Sequence, residues 1–137
     1  MRLTDFERFP KQRATRIYVA GPMAKGDREE NIRRGIDAGN ALVAEGYAVF
    51  IPHLNVLWEK HHPKTFEEWL SHDLEWVAAC DAVLRLSGES KGADLEVEFC
   101  RVRGIPVFSS IADLIASVPK TQPVPQPPAI ISHGREM

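Results

Sequence analysis

Two cysteines in 137 residues are too few for a disulfide framework. Cys80 and Cys100 form no Cys-x-x-Cys pair and have no metal-ligand spacing, so both are read as small buried hydrophobes. Long apolar runs are also missing, and nothing approaches the roughly 18 residues of a membrane span. The first residues, with Asp5 and Glu7 among basic neighbours, lack the apolar centre of a signal peptide, so the expected location is cytoplasmic. Charge of one sign is not in surplus. Seventeen Lys and Arg face nineteen Asp and Glu, for a net charge of -2, which gives no reason to expect nucleic acid or an anionic membrane as partner. Neither a dinucleotide fingerprint nor a P-loop is present. His53, His61 and His62 lack a plausible carboxylate spacing, so no metal site is expected.

What is present is ordinary globular material, 44% hydrophobic and 26% charged, enough for one self-supporting domain. Residues 1–14 are polar and mixed in charge and read as a loose arm. Arg16-Ile-Tyr-Val-Ala20 is a β-rich run ended by Gly21-Pro22. Over residues 27–45 the spacing of Ile32, Ile36, Ala38, Leu42 and Val43 predicts one apolar helix face. Asp27 is its expected cap and Gly46 its stop. Tyr47 to Ile51 is a second strand, and residues 52–64 read as a loop. Thr65 and Glu68 form a capping box for a helix running to about Ala79. A third strand covers residues 81–86, and the polar loop Ser87-Gly-Glu-Ser-Lys-Gly92 follows. A helix over residues 93–103 closes at Gly104; a fourth strand at residues 105–108 and a short helix at 111–117 complete the pattern. From Val118 the prolines at 119, 123, 125, 127 and 128 argue against regular structure, so residues 119–137 read as a Pro-rich tail and residues 15–118 as the domain.

Alternating strands and helices predict an α/β fold: a small open parallel sheet of about four or five strands with helices on both faces, flavodoxin-like. Such sheets bind ligands beyond the carboxyl ends of their strands, where the loops 21–26, 52–64 and 87–92 meet. In the first loop, Gly21 and Gly26 permit close backbone approach and Lys25 adds charge, although an ordinary strand-to-helix turn explains them equally. In the third, Ser90 and Gly92 precede a helix whose first turns carry Glu96. A carboxylate there can attack a sugar carbon or steady an oxocarbenium ion; alternatively Asp94, Glu96 and Glu98 merely complement the helix dipole. Asp73, beside His72, is a candidate acid or part of a solvated helix face. Trp69 and Trp76, seven apart, are expected to share a core-facing stripe, and Trp58, in a loop, to stack on a flat base.

Ile17-Tyr-Val-Ala-Gly-Pro22, Trp69 to Asp73-Leu74, Cys80-Asp81, Ser90-x-Gly92-x-x-x-Glu96 and Gly104-Ile-Pro-Val107 occur in that order. This set resembles the nucleoside 2-deoxyribosyltransferase superfamily, which includes the 2'-deoxynucleoside 5'-monophosphate N-glycosidases. The resemblance implies that Glu96 is the nucleophile of a covalent glycosyl-enzyme, Asp73 the acid beside the base, and Tyr18 the strand tyrosine near the nucleophile. Gly21, Pro22, Met23, Trp58, Ser90 and Gly92 are expected around the substrate. Ser90 stands where the transferases carry an aspartate, and a hydroxyl suits a 5'-phosphate that an aspartate would repel. Pro22-Met23 departs from the phosphate-binding glycosidases, which are richer there in Ser and Gly, and Glu98 stands where relatives usually have a glycine. The resemblance further implies a nucleoside or nucleotide substrate, no cofactor and a homo-oligomer. The rival expectation is a non-catalytic nucleotide-binding or sensing module.

Overall fold

The computed structural model describes residues 12–125. Four strands form a parallel sheet: β2 (Arg16–Ala20), β3 (Ala48–Phe50), β4 (Ala82–Arg85) and β5 (Val107–Phe108). Their spatial order is β3-β2-β4-β5, all neighbours parallel. The helices are α1 (Arg28–Ala44), α2 (Val56–His61), α3 (Phe66–Ala79), α4 (Lys91–Arg103) and α5 (Ile111–Ser117). The architecture is the expected flavodoxin-like α/β sheet, with its order reversing between β2 and β4.

The pleat divides the core. Ile17 and Val19 of β2 point to one face with Ala82 and Leu84 of β4, packing on Leu42 of α1 and Leu114 of α5. Tyr18 and Ala20 point to the other with Val83, packing on Val77 of α3 and on Ala93 and Cys100 of α4. Helices therefore cover both faces. Cys100 is buried as expected, while Cys80 is only partly so.

The caps follow the sequence. Asp27 accepts from the Glu30 amide, and Thr65 and Glu68 exchange both bonds of a capping box. Gly46, at φ 101°, follows α1, and Gly104, at φ 74°, caps α4.

The buried face of α1 differs from the expected one. Ile36 is 40% exposed and Val43 56%; the buried residues are Asn31, Gly35, Ala38, Gly39 and Leu42. Small residues win because the helix lies close against the segment after β3. A Cβ on Gly39 would meet Ile51 Cδ1 at 2.2 Å, and one on Gly35 would meet the His53 ring at 2.7 Å. Gly35→Ala is expected to lower stability by about 1–3 kcal/mol in denaturant unfolding, because the ring it would displace is itself fixed.

Two further expectations are corrected. Residues 52–64 are not simply a loop: a 3-10 turn, Pro52–Asn55, leads into α2. The arm and tail also contain structure. β1 (Gln12–Ala14) pairs antiparallel with β6 (Thr121–Pro123), forming a separate ribbon. Thr15 ties it down, donating its amide to Lys120 O and its hydroxyl to Pro119 O. Pro123 is tolerated because a two-stranded ribbon consists only of edges. Arg13 grips Asp81 through two bonds of 2.7 and 2.9 Å, and Asp81 also accepts from the Arg16 amide. The remaining expected arm and tail, residues 1–11 and 126–137, lie outside the described residues.

Candidate functional site

At the carboxyl ends of the strands, beside the switch between β2 and β4, lies a cleft of about 640 Å³. This is the size range of small-molecule sites. Its wall is built from the three loops that the alternation of elements brings together. Gly21 and Met23 come from the turn after β2, Pro52, His53, Asn55 and Val56 from the turn after β3, and Ser90 to Ala93 from the loop after β4 into α4.

The floor is Glu96. Ala93, Glu96 and Cys100 form the buried stripe of α4, so a carboxyl group stands where the pattern calls for an apolar side chain, and it is 6% exposed. Its acidic neighbours behave differently: Asp94 pairs with Arg85, and Glu98 with Arg101, at the surface. The dipole-complementing explanation therefore does not fit Glu96. Tyr18, fully buried on β2, donates its hydroxyl to Glu96 Oε2 at 2.6 Å. Burial drives the Glu96 carboxyl up to about 8, assisted by the like charge of Asp73 and opposed by the Tyr18 hydrogen bond and by Arg85. Burial, with Glu96 second, also raises Tyr18.

Asp73 lines the cleft from α3. Burial raises it as well, and its contact with His72 partly offsets this; His72 Nδ1 and Asp73 Oδ1 are 3.1 Å apart. Two acids with raised protonation behaviour in one cleft mark a functional-site candidate.

Ser90 caps α4, its hydroxyl oxygen accepting from the Ala93 amide, which leaves the hydroxyl proton available. Gly92 also lines the cleft; a Cβ there would stand 3.6 Å from Phe66. Of the nine site residues named from sequence, Gly21, Met23, Asp73, Ser90, Gly92 and Glu96 line the cleft, and Tyr18 reaches its floor from below. Pro22 and Trp58 do not line it. Pro22 is buried behind the wall, its ring against Gly88 and its carbonyl accepting from His53 Nε2 at 3.1 Å. Trp58 sits on α2, 42% exposed, packed edge-on against Trp69.

The aromatic wall is instead Trp69 with Phe66, one turn apart on α3 and on the same side as Asp73. Trp76, the expected core partner of Trp69, is 46% exposed and stacks on Phe50. The spacing of 66, 69 and 73 carried this signal, since i, i+3 and i+7 share a helical face. Glu59 was missed too. It accepts from the Trp69 indole at 2.8 Å and from the Lys64 amide at 3.0 Å, fixing the wall. His53, 1% exposed, has no metal-ligand spacing and no other signal in the sequence. Its bond to Pro22 makes Nε2 the protonated nitrogen, so it ties the first loop to the turn after β3.

Among the described residues no group of three His, Cys, Asp or Glu side chains is placed to hold a metal ion. No described helix is long and apolar enough to cross a membrane.

A flavodoxin-like domain with two acids in its switch-point cleft is the class that fold and site define. The chain belongs to the family described as a domain of unknown function, DUF4406, which matches residues 15–109. Among curated proteins, no sequence matches. The chain is similar in structure to a 2-deoxyribosyltransferase from the psychrotolerant bacterium Bacillus psychrosaccharolyticus, with a TM-score of 0.49, 21% sequence identity and coverage of 71% of this chain and 76% of that one.

Proposed function

We propose that this protein acts at the N-glycosidic bond of a nucleoside or nucleotide, with Glu96 attacking the anomeric carbon. The observation that carries the reading is the buried Glu96 carboxyl on the cleft floor, held by the Tyr18 hydroxyl at 2.6 Å with a second acid, Asp73, in the same cleft. The ordered motifs around Tyr18, Asp73, Ser90 and Glu96 support it through their resemblance to the deoxyribosyltransferase superfamily.

In this reading a Glu96 oxygen forms a bond to C1' as the bond from C1' to the base nitrogen breaks. The electron pair goes to the base, which takes a proton from Asp73. Water, or a second base, then attacks C1' and releases Glu96, so the configuration is retained. Trp69 and Phe66 supply flat faces for the base. Ser90, with a free hydroxyl proton, faces the 5' end of the sugar. No metal or redox cofactor takes part, and the protein works as a cytoplasmic homo-oligomer.

Glu96 attacks only as the anion, and burial holds its pKa at about 8. Its raised value means that protonation below that pH removes the nucleophile. Base release needs Glu96 ionised and Asp73 protonated together, so kcat/KM is expected to pass through a maximum in pH, with one limb near 8 set by Glu96. A flat profile from pH 6 to 9 would remove Glu96 as the ionising group.

The same burial favours a second reading, a binding module. A carboxyl protonated at neutral pH hydrogen-bonds a sugar hydroxyl without attacking carbon. One experiment separates the two. Deoxynucleosides and deoxynucleoside monophosphates are incubated with wild type and with Glu96→Ala, and free base is measured by chromatography. Release by wild type alone supports the enzyme. Thermal stabilisation by a nucleotide without release from any substrate supports the module.

A further inference from the structure

His72 stands outside the cleft lining and next to the acid that belongs to it. Its ring is held on two sides. Trp58 packs edge-on against it at 5.2 Å between centroids, and Trp69 at 5.7 Å. The two indoles themselves meet edge-on at 5.0 Å. Trp69 is fixed in turn by its indole bond to Glu59. This three-ring cluster directs Nδ1 of His72 at Asp73 Oδ1, 3.1 Å away. An exposed imidazole beside an exposed aspartate would be an ordinary surface pair. Here both side chains are largely covered, and the carboxyl group faces a cleft.

We infer that His72 is the positioning residue for Asp73: it fixes Oδ1, and with it the carboxyl group at the cleft, and stabilises the carboxylate left when the proton is given. The inference rests on the glycosidic reading above and assigns a task within it. As the bond from C1' to nitrogen breaks, the Asp73 proton passes to the base nitrogen, and Nδ1–H of His72 then donates to the new carboxylate. When water attacks C1' in the second step, the carboxylate takes back a proton from that water, so each cycle closes with Asp73 protonated. Trp58 contributes by holding the ring from outside the cleft.

The consequence is selective. A base that must be protonated to leave depends on the pair. An N7-methylated purine already carries positive charge and leaves without a proton, so it does not depend on it. The test compares wild type, His72→Phe and His72→Gln on an ordinary purine deoxynucleoside, or its monophosphate, and on the N7-methylated analogue. The expected result is a fall in kcat of roughly 10-fold or more for His72→Phe on the ordinary substrate, with KM within about twofold. His72→Gln, which keeps an N–H donor, recovers part of that loss, and both variants match wild type on the methylated substrate. Equal losses on both substrates would reduce His72 to a structural role, and no loss on either would remove it from the reaction; both overturn the inference. If His72→Phe does not fold, the substrate contrast of His72→Gln decides. Release of neither base by wild type would overturn the glycosidic reading itself, which distinguishes that failure from a failure of the His72 assignment.

Discussion

Glu96→Gln is expected to lose base release by roughly a thousandfold or more and, at alkaline pH, to be more stable than wild type. The two effects have one origin. The amide keeps the size of the side chain and an acceptor for the Tyr18 hydroxyl but has no nucleophilic oxygen anion. It also needs no ionisation in a buried place. Glu96 has an ordinary pKa of 4.5 when unfolded and about 8 when folded. The folded protein therefore holds this proton more tightly. The resulting stability is fully present below about pH 4.5 and is lost as pH rises through 8. The shift corresponds to on the order of 5 kcal/mol. Near pH 5 the variant and wild type should unfold at similar denaturant concentrations. Near pH 9 the variant should be more stable by several kcal/mol, a difference readable in paired urea titrations. Equal stability at both pH values would mean that Glu96 is not a buried acid.

Tyr18→Phe is expected to lower turnover roughly 100-fold and move the limb set by Glu96 to higher pH. The Tyr18 hydroxyl is a donor to Glu96 and holds the carboxyl down against burial and against Asp73. Without it the anion loses its closest donor and forms less readily. The protonated carboxyl is left with an unmet partner as well, which costs about 1–3 kcal/mol of stability. The diagnostic is the limb. A variant that is slower at an unchanged limb would make Tyr18 a packing residue, and an upward limb recovered at higher pH would establish it as the group that sets the charge on Glu96.

Much of this arrangement is legible in the sequence. Strand and helix runs separated by Gly, Pro and capping residues define the parallel sheet, and the sheet alone dictates which loops converge. Glu96 is legible as a residue but its environment is not, because an acid in the first turns of a helix has a common explanation in the dipole. Only the folded register shows it on the stripe between Ala93 and Cys100. The buried face of α1 is illegible for another reason. Periodicity rewards large apolar residues, while a close approach to His53 and Ile51 selects Gly35 and Gly39. Trp69 and Trp76 share a seven-residue spacing, yet Trp69 reaches the cleft and Trp76 lies beside Phe50. α2 was hidden by the Pro and His residues that flank it, and β1 and β6 by their shortness and by Pro123, since three-residue strands carry almost no alternation.

The ribbon of β1 and β6 has a practical meaning for anyone who builds on this protein. Gln12 and Pro123 are register partners, so the two described ends of the chain emerge side by side. They do so where the parallel strands begin, and the cleft opens where those strands finish. A tag or partner domain joined directly at either described end therefore starts its path on the far side from the substrate. A short linker between the ends would also allow the chain to be reopened elsewhere, with the sheet order and the loops around Glu96 preserved.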